Sequence, residues 1–166
     1  MITRDSRDYP EFPTSGSAAS LTTELAGGLF RGDNAYHKHI FSMEWYAPFF
    51  PKLVLYNQVL YGFLAGYSKD PSEVPYLEKF FMGGSGLSLG TPLRGYDERS
   101  VGPTSGAVRT ALGGKSQLKV SVELRVNLVD NPTIYGLLFA EAGNTWLNFD
   151  QTDPYDLKRS VGLGVR

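Results

Sequence analysis

Hydrophobic and polar residues alternate with period two along much of the chain. The clearest run is 119–129. Val120, Val122, Leu124, Val126 and Leu128 take one parity, and Lys119, Ser121, Glu123, Arg125 and Asn127 the other. Successive side chains of a strand point to opposite faces, so this run predicts a strand with one apolar and one polar face. The C-terminus repeats the pattern, with Leu157, Val161, Leu163 and Val165 set against Lys158, Ser160, Gly162, Gly164 and Arg166. Arg159 is the exception on its apolar side. Residues 19–25 alternate more weakly, with Leu21 and Leu25 against Ser20, Thr22 and Glu24. Phe41, Met43 and Trp45 alternate with Ser42 and Glu44. Residues 53–67 and 135–146 are strand-like but apolar on both parities, so period alone does not orient them. No stretch of a dozen residues keeps an apolar helical period free of Gly and Pro. The pattern is all-β.

Turn signals separate these runs. Phe12-Pro-Thr-Ser-Gly16, Pro48-Phe-Phe-Pro51 and Asp130-Asn-Pro-Thr133 are short, whereas 29–34 and 147–156 are longer. Short and long connections therefore alternate. The outlier is 68–116, which holds 9 Gly and 4 Pro in 49 residues. A loop of that length inside a compact domain is expected to be functional and packed by its own side chains. Tyr76, Leu77, Phe80, Phe81, Met82, Leu87, Leu89 and Leu93 give it too much apolar content for a solvated linker.

Two architectures accommodate many antiparallel strands. In a soluble sandwich the apolar face is a core. In an outer-membrane barrel it faces lipid while the polar face lines the lumen. Alternating connection lengths, long strands and polar-face charges (Glu24, Glu44, Lys119, Glu123, Arg125) favour the barrel, and Tyr36, Trp45, Tyr46, Tyr67 and Trp146 suit aromatic girdles. Six full strands and a seventh ending near Asp8 do not close a bacterial barrel, whose strand numbers are even and start at 8. No leader stretch is read at the N-terminus. The expectation is an antiparallel transmembrane β-barrel segment of about 6–7 strands.

Composition sharpens this. Lys+Arg 16 against Asp+Glu 17 gives a net charge of −1, unlike a basic nucleic-acid binder. Hydrophobic residues at 42% exclude a disordered chain, and the lack of cysteine excludes disulfides and thiolate metal sites. Gly and Pro together make about 17% of the residues, against a usual ~12%.

Leu93-Arg-Gly-Tyr-Asp-Glu-Arg-Ser-Val-Gly-Pro103, preceded by Phe80-Phe-Met-Gly-Gly84, resembles the long-loop motif of the BamA-type outer-membrane assembly and translocation barrels, the bacterial surface antigen family. Asp5-Ser-Arg-Asp8 with Phe12-Pro-Thr-Ser-Gly16 resembles that family's D-x-R-D…F-P-T-x-G turn. Phe139-Ala-Glu-Ala-Gly-Asn-Thr-Trp146 resembles its F-x-D-A-G-x-x-W strand, with Glu for Asp. Val122-Glu-Leu and residues 157–166 resemble the strands beside them. The resemblance spans nearly the whole chain.

It implies a fragment of a 16-stranded barrel, from about the eighth strand to the fourteenth, with residues 1–166 one partial barrel domain and loop 68–116 folded into the lumen. POTRA domains and the remaining strands would be absent. The implied function is folding and inserting other β-barrel proteins in the cell outer membrane, with unfolded barrel clients, the lipid bilayer and accessory assembly subunits as partners. No cofactor, nucleotide or nucleic acid is implied. A polypeptide-secreting transporter of the same family and a passive porin stay open as alternatives, as does the soluble sandwich.

Rival motifs are weaker. Gly113-Gly-Lys-Ser116 is like the end of a phosphate loop, but position 109 is Arg109 and a strand is expected next. His37 and His39 share a strand face at a spacing that can hold a metal, yet no carboxylate converges in the sequence. Arg31-Gly-Asp33 is ordinary turn composition. Gly84-Ser-Gly86 lacks the flanks of a nucleophile elbow, and no nucleophile–base set can be assembled, so no enzyme is expected.

The candidate site is the loop motif Leu93, Arg94, Gly95 and Tyr96. A hairpin centred on Pro132 makes Glu123 and Glu141 cross-strand neighbours on the lumen face, where opposed like charges need a cation. The resemblance puts Arg94 beside both. Arg94 is then expected to bind carboxylate bidentately and pin the loop, with Gly95 allowing close approach and Tyr96 packing nearby.

Overall fold

The computed structural model describes residues 1–28, 34–67, 74–85, 90–106, 110–130 and 133–166. The main sheet is antiparallel, in the order β1 (Ile2–Asp5), β2 (Gly16–Ala26), β3 (Tyr36–Phe50), β4 (Leu53–Gly66), β7 (Ser116–Asp130), β8 (Thr133–Trp146), β9 (Lys158–Val165). A two-stranded ribbon of β5 (Thr104–Ser105) and β6 (Thr110–Ala111) belongs to the long loop. Every main-sheet neighbour follows its predecessor in sequence, with the loop inserted between β4 and β7.

The pleat sorts each strand into two faces. On β7, Val122, Val126 and Leu128 are exposed, while Lys119, Ser121 and Glu123 are buried. The exposed face continues through Leu21 and Leu25 of β2, Phe41, Met43 and Trp45 of β3, Leu138 of β8 and Val161, Leu163 and Val165 of β9. A large continuous apolar surface suits lipid and is costly in water. Arg159 lies exposed at the end of that face on β9, paired with Ala142.

The other face is covered by the long loop. Phe80 joins Tyr36, Leu64 and Val74 in one buried cluster, and Met82, Leu93 and Val101 form a second against Tyr96. Backbone bridges hold the loop in place: Phe80 with Gly114, Met82 with Thr91 and Val101, Gly84 with Leu93. The wall leaves room for it at glycines. A Cβ on Gly62 would stand 2.7 Å from Phe80 Cζ, and one on Gly143 2.6 Å from Met82 Sδ. Leu87 and Leu89 lie outside the described residues, as do Arg31-Gly-Asp33, Arg109 and the turn centre Asn131-Pro132.

Two expectations are corrected here. Tyr36 and Tyr46 are not girdle residues, because they face inward and are buried. Trp146 is buried too, beneath the β8–β9 connection, leaving Trp45 and Tyr67 exposed. The hairpin centre also differs. Asp130 pairs with Thr133, but a bulge between Asn127 and Val129 resets the ladder, so Glu123 faces Phe139 and Ser121 faces Glu141. Glu123 and Glu141 are thus diagonal neighbours rather than directly opposed. The bulge keeps them on one face, because without it Glu123 would face Ala140 and the two would part.

Candidate functional site

Leu93 and Tyr96 fix the motif from either side. Leu93 is fully buried, and its N–H donates to Gly84 O at 3.2 Å. Gly84 N–H donates to Tyr96 O at 2.9 Å, and the Tyr96 hydroxyl donates to Arg159 O of β9 at 2.9 Å. Gly95 has φ +83°, where a side chain is strained. Its requirement is this turn, since a Cβ there would meet only Ser160 Cβ at 3.4 Å. Close approach is not its reason.

The turn aims Arg94 at the wall. Its backbone N–H donates to Glu141 Oε2 at 2.9 Å. Its Nη2 donates to Glu141 Oε1 at 2.7 Å and Glu123 Oε1 at 2.5 Å. One nitrogen bridges two carboxylates, in place of the expected fork on one. The guanidinium lies 3.7 Å from the centroid of the Phe139 ring. Burial works against the charge of Arg94, but the bonds to Glu141 and then Glu123 raise its pKa above the ordinary arginine value.

Both carboxylates are almost fully buried, at 3% exposure for Glu123 and 5% for Glu141. Glu141 also receives Lys119 Nζ and Ser121 Oγ, each at 3.2 Å. Glu123 Oε2 receives Arg125 Nε at 2.8 Å and Nη2 at 2.7 Å. Arg125 in turn sits over the Tyr56 ring at 4.1 Å. The Tyr46 and Tyr56 hydroxyls donate to Glu44, which Arg7 Nη1 meets at 2.9 Å. A polar network therefore crosses the inner wall from the β1–β2 turn to β8, with the loop's arginine at its far end. A cavity of about 190 Å³ beside it is lined by Tyr56, Arg94, Lys119, Glu123 and Glu141.

Sequence reasoning missed Lys119, Arg125 and Phe139 as partners of the site. The signal was present: Lys119, Glu123 and Arg125 alternate in charge on one strand parity, and Phe139 shares the parity of Glu141.

The rival motifs take structural places. Phe80 N–H and Gly114 N–H donate to each other's carbonyls at 2.8 and 2.7 Å, and strand β7 follows, so Gly113-Gly-Lys-Ser116 edges a ladder. Ser85 bonds Glu98 through its N–H at 2.8 Å, and Gly86 lies outside the described residues. His37 Nδ1 lies 3.1 Å from His39 Nε2. Among the described residues no group of three or more His, Cys, Asp or Glu gathers where a metal could bind.

With this geometry in place, comparison with known proteins decides the family: residues 1–166 match the Omp85 superfamily domain. The chain belongs to the Omp85 superfamily. It is 29% identical over 99% of its length to an outer membrane protein assembly factor BamA of Nitratidesulfovibrio vulgaris, covering 20% of that protein. It is 28% identical over 98% of its length to the BamA of Neisseria meningitidis serogroup B, again covering 20%. A SAM50-like protein of Schizosaccharomyces pombe is 33% identical over 96% of the chain, which covers 33% of it. The chain thus spans a fifth to a third of these relatives. In fold it is similar to the crystal structure of Haemophilus ducreyi BamA lacking POTRA domains 1–3, with a TM-score of 0.77 at 21% identity, over 98% of this chain and 34% of that one.

Proposed function

We propose that this chain is part of the barrel of an outer-membrane assembly factor that folds and inserts other β-barrel proteins. The match of the whole chain to the Omp85 superfamily domain, with BamA relatives, carries the reading. The site supports it: a long loop is anchored on the inner wall by Arg94, between Glu123 and Glu141. In this reading the barrel has 16 strands, POTRA domains lie in the parent protein, and unfolded barrel clients and accessory subunits are its partners. Residues Leu93, Arg94, Gly95 and Tyr96 act as a mechanical clamp rather than a reaction centre. No covalent step, cofactor or nucleotide takes part.

The test is client assembly by the full-length protein in lipid vesicles. Wild type is expected to convert an added unfolded barrel to its folded, heat-modifiable form, and Arg94→Ala to do so more slowly. Export of a soluble polypeptide without client insertion would instead assign a secretion transporter. Steady single-channel conductance with neither activity would assign a porin.

A further inference from the structure

The connection between β8 and β9, residues 147–157, lies against the outside of the wall and not over the lumen. Phe63, on the outer parity of β4, meets Phe149 edge-on at 5.1 Å. Its cross-strand partner Ser116 bonds the Thr152 hydroxyl at 2.8 Å. Ser116 and Trp146 pair with each other and share that outer parity, yet both are buried. The 3-10 turn Phe149–Gln151 therefore roofs the ends of β4, β7 and β8 from outside. Asn144 Nδ2 donates to Asp156 O at 2.7 Å and ties the far end of the connection down.

What this strap presents outward is mixed, with three apolar side chains set among exposed Asn148, Asp150, Gln151, Asp153 and Asp156. Phe149 is 54% exposed, Tyr155 89% and Leu147 39%. Beside Phe63 lie His37 and His39, with ring centroids at 5.5 and 6.3 Å, and Tyr67 lies 5.6 Å from His37. His37 pairs across to Leu25, and Phe41 and Met43 follow on the same face of β3. Through Phe149 on Phe63 the strap thus adjoins the exposed apolar band. Such aromatic and imidazole rings, apolar in body with a polar tip, suit the boundary between acyl chains and headgroups.

We propose that the 147–157 connection is a membrane-seated strap, with Phe149 and Leu147 dipping into the outer-leaflet lipid and extending the bilayer contact of the wall. Long connections of such barrels lie on the extracellular side, which places the strap in that leaflet. The proposal rests on the placement of the chain in an outer membrane, so its test carries a control for that placement.

The experiment uses the full-length protein, with any cysteine elsewhere replaced, reconstituted in phosphatidylethanolamine–phosphatidylglycerol vesicles. Nitroxides are attached at Phe149→Cys, Leu147→Cys, Val122→Cys and Glu11→Cys in separate samples. Relaxation by oxygen, which partitions into lipid, is compared with relaxation by a water-soluble nickel chelate. Oxygen-dominated relaxation at 149 or 147, close to that at 122 and well above that at 11, is the expected result. Nickel-dominated relaxation at both strap positions, with position 122 still in lipid, overturns the strap alone. Shielding from both reagents at 149 and 147 also overturns it and assigns a protein contact. Nickel access at 122 overturns the membrane placement itself. Leu147, which makes no ring contact with the wall, keeps the test open if Phe149→Cys fails to fold.

Discussion

Arg94 holds the loop through three bonds and a ring contact, and these are separable by substitution. Arg94→Ala removes both charge bridges and leaves two buried carboxylates sharing Lys119 and Arg125. Breaking a buried ion pair costs about 3–5 kcal/mol, so protease cleavage within the loop should rise sharply. Arg94→Lys keeps a cation that can bridge, because a single nitrogen does the bridging here, but forfeits the planar stack on Phe139. It should fall between wild type and Ala in the same assay, and Arg94→Gln should resemble Ala. Asp8 is a second residue with a readable role. Its carboxylate accepts backbone N–H groups of Tyr9 and Thr14 at 2.9 Å and Ser15 at 3.2 Å, plus the Thr14 hydroxyl. Desolvation opposes ionisation there, but the bonds from Thr14, Ser15 and Tyr9 win and hold its pKa below the usual carboxylate value. The stability it adds is complete above the unfolded value of about 3.9 and is lost as pH falls from there through the folded value. The barrel's unfolding midpoint should therefore drop below about pH 4 in wild type and drop less in Asp8→Asn.

At the scale of elements, β7 was legible because its two faces meet different media. Val122 and Val126 are exposed on one side, and Lys119 and Glu123, with Arg125, form a buried charged wall on the other. β4 was legible as a strand over 53–67 but its two faces were not, and the reason is local. Its inward Leu64 is apolar because Phe80 and Val74 of the loop pack on it, so both parities read as hydrophobic. Inner-wall packing hid Tyr36, against Phe80, and Tyr46, against Tyr56, whose rings suggest a girdle. The diagonal of Glu123 and Glu141 depends on a bulge that carries no sequence signature. Deleting Leu128, the residue the bulge leaves unpaired, would close the ladder with Asn127 still opposite Tyr135 and Val129 opposite Ile134, so the full-length protein should keep its heat-modifiable folded form on gels. Leu124→Lys puts a charge on the lipid face of the same strand and should cost about 2–4 kcal/mol in urea unfolding from vesicles.

The whole molecule joins loop and wall through shared carboxylates, and that sharing makes a prediction about additivity. Glu123 has two cations, Arg94 on the loop and Arg125 on its own strand. Losing either leaves the buried carboxylate one partner; losing both leaves it with none. The penalty of Arg94→Ala with Arg125→Ala should therefore exceed the sum of the single penalties, by the roughly 0.5–3 kcal/mol seen for residues in one network. Independent anchors would add within about 0.3–0.5 kcal/mol. Glu123→Gln separates the two cases further. In wild type it strands Arg125 and loosens Arg94, so it should destabilise. In the double variant it removes an uncompensated buried charge, so it should stabilise. Urea unfolding from vesicles of wild type, both single variants, the double variant and Glu123→Gln in the wild-type and double backgrounds reads the additivity and both signs. Strict additivity, or a Glu123→Gln effect of the same sign in both backgrounds, would mean that loop and wall are held separately and that the carboxylate is no shared pivot.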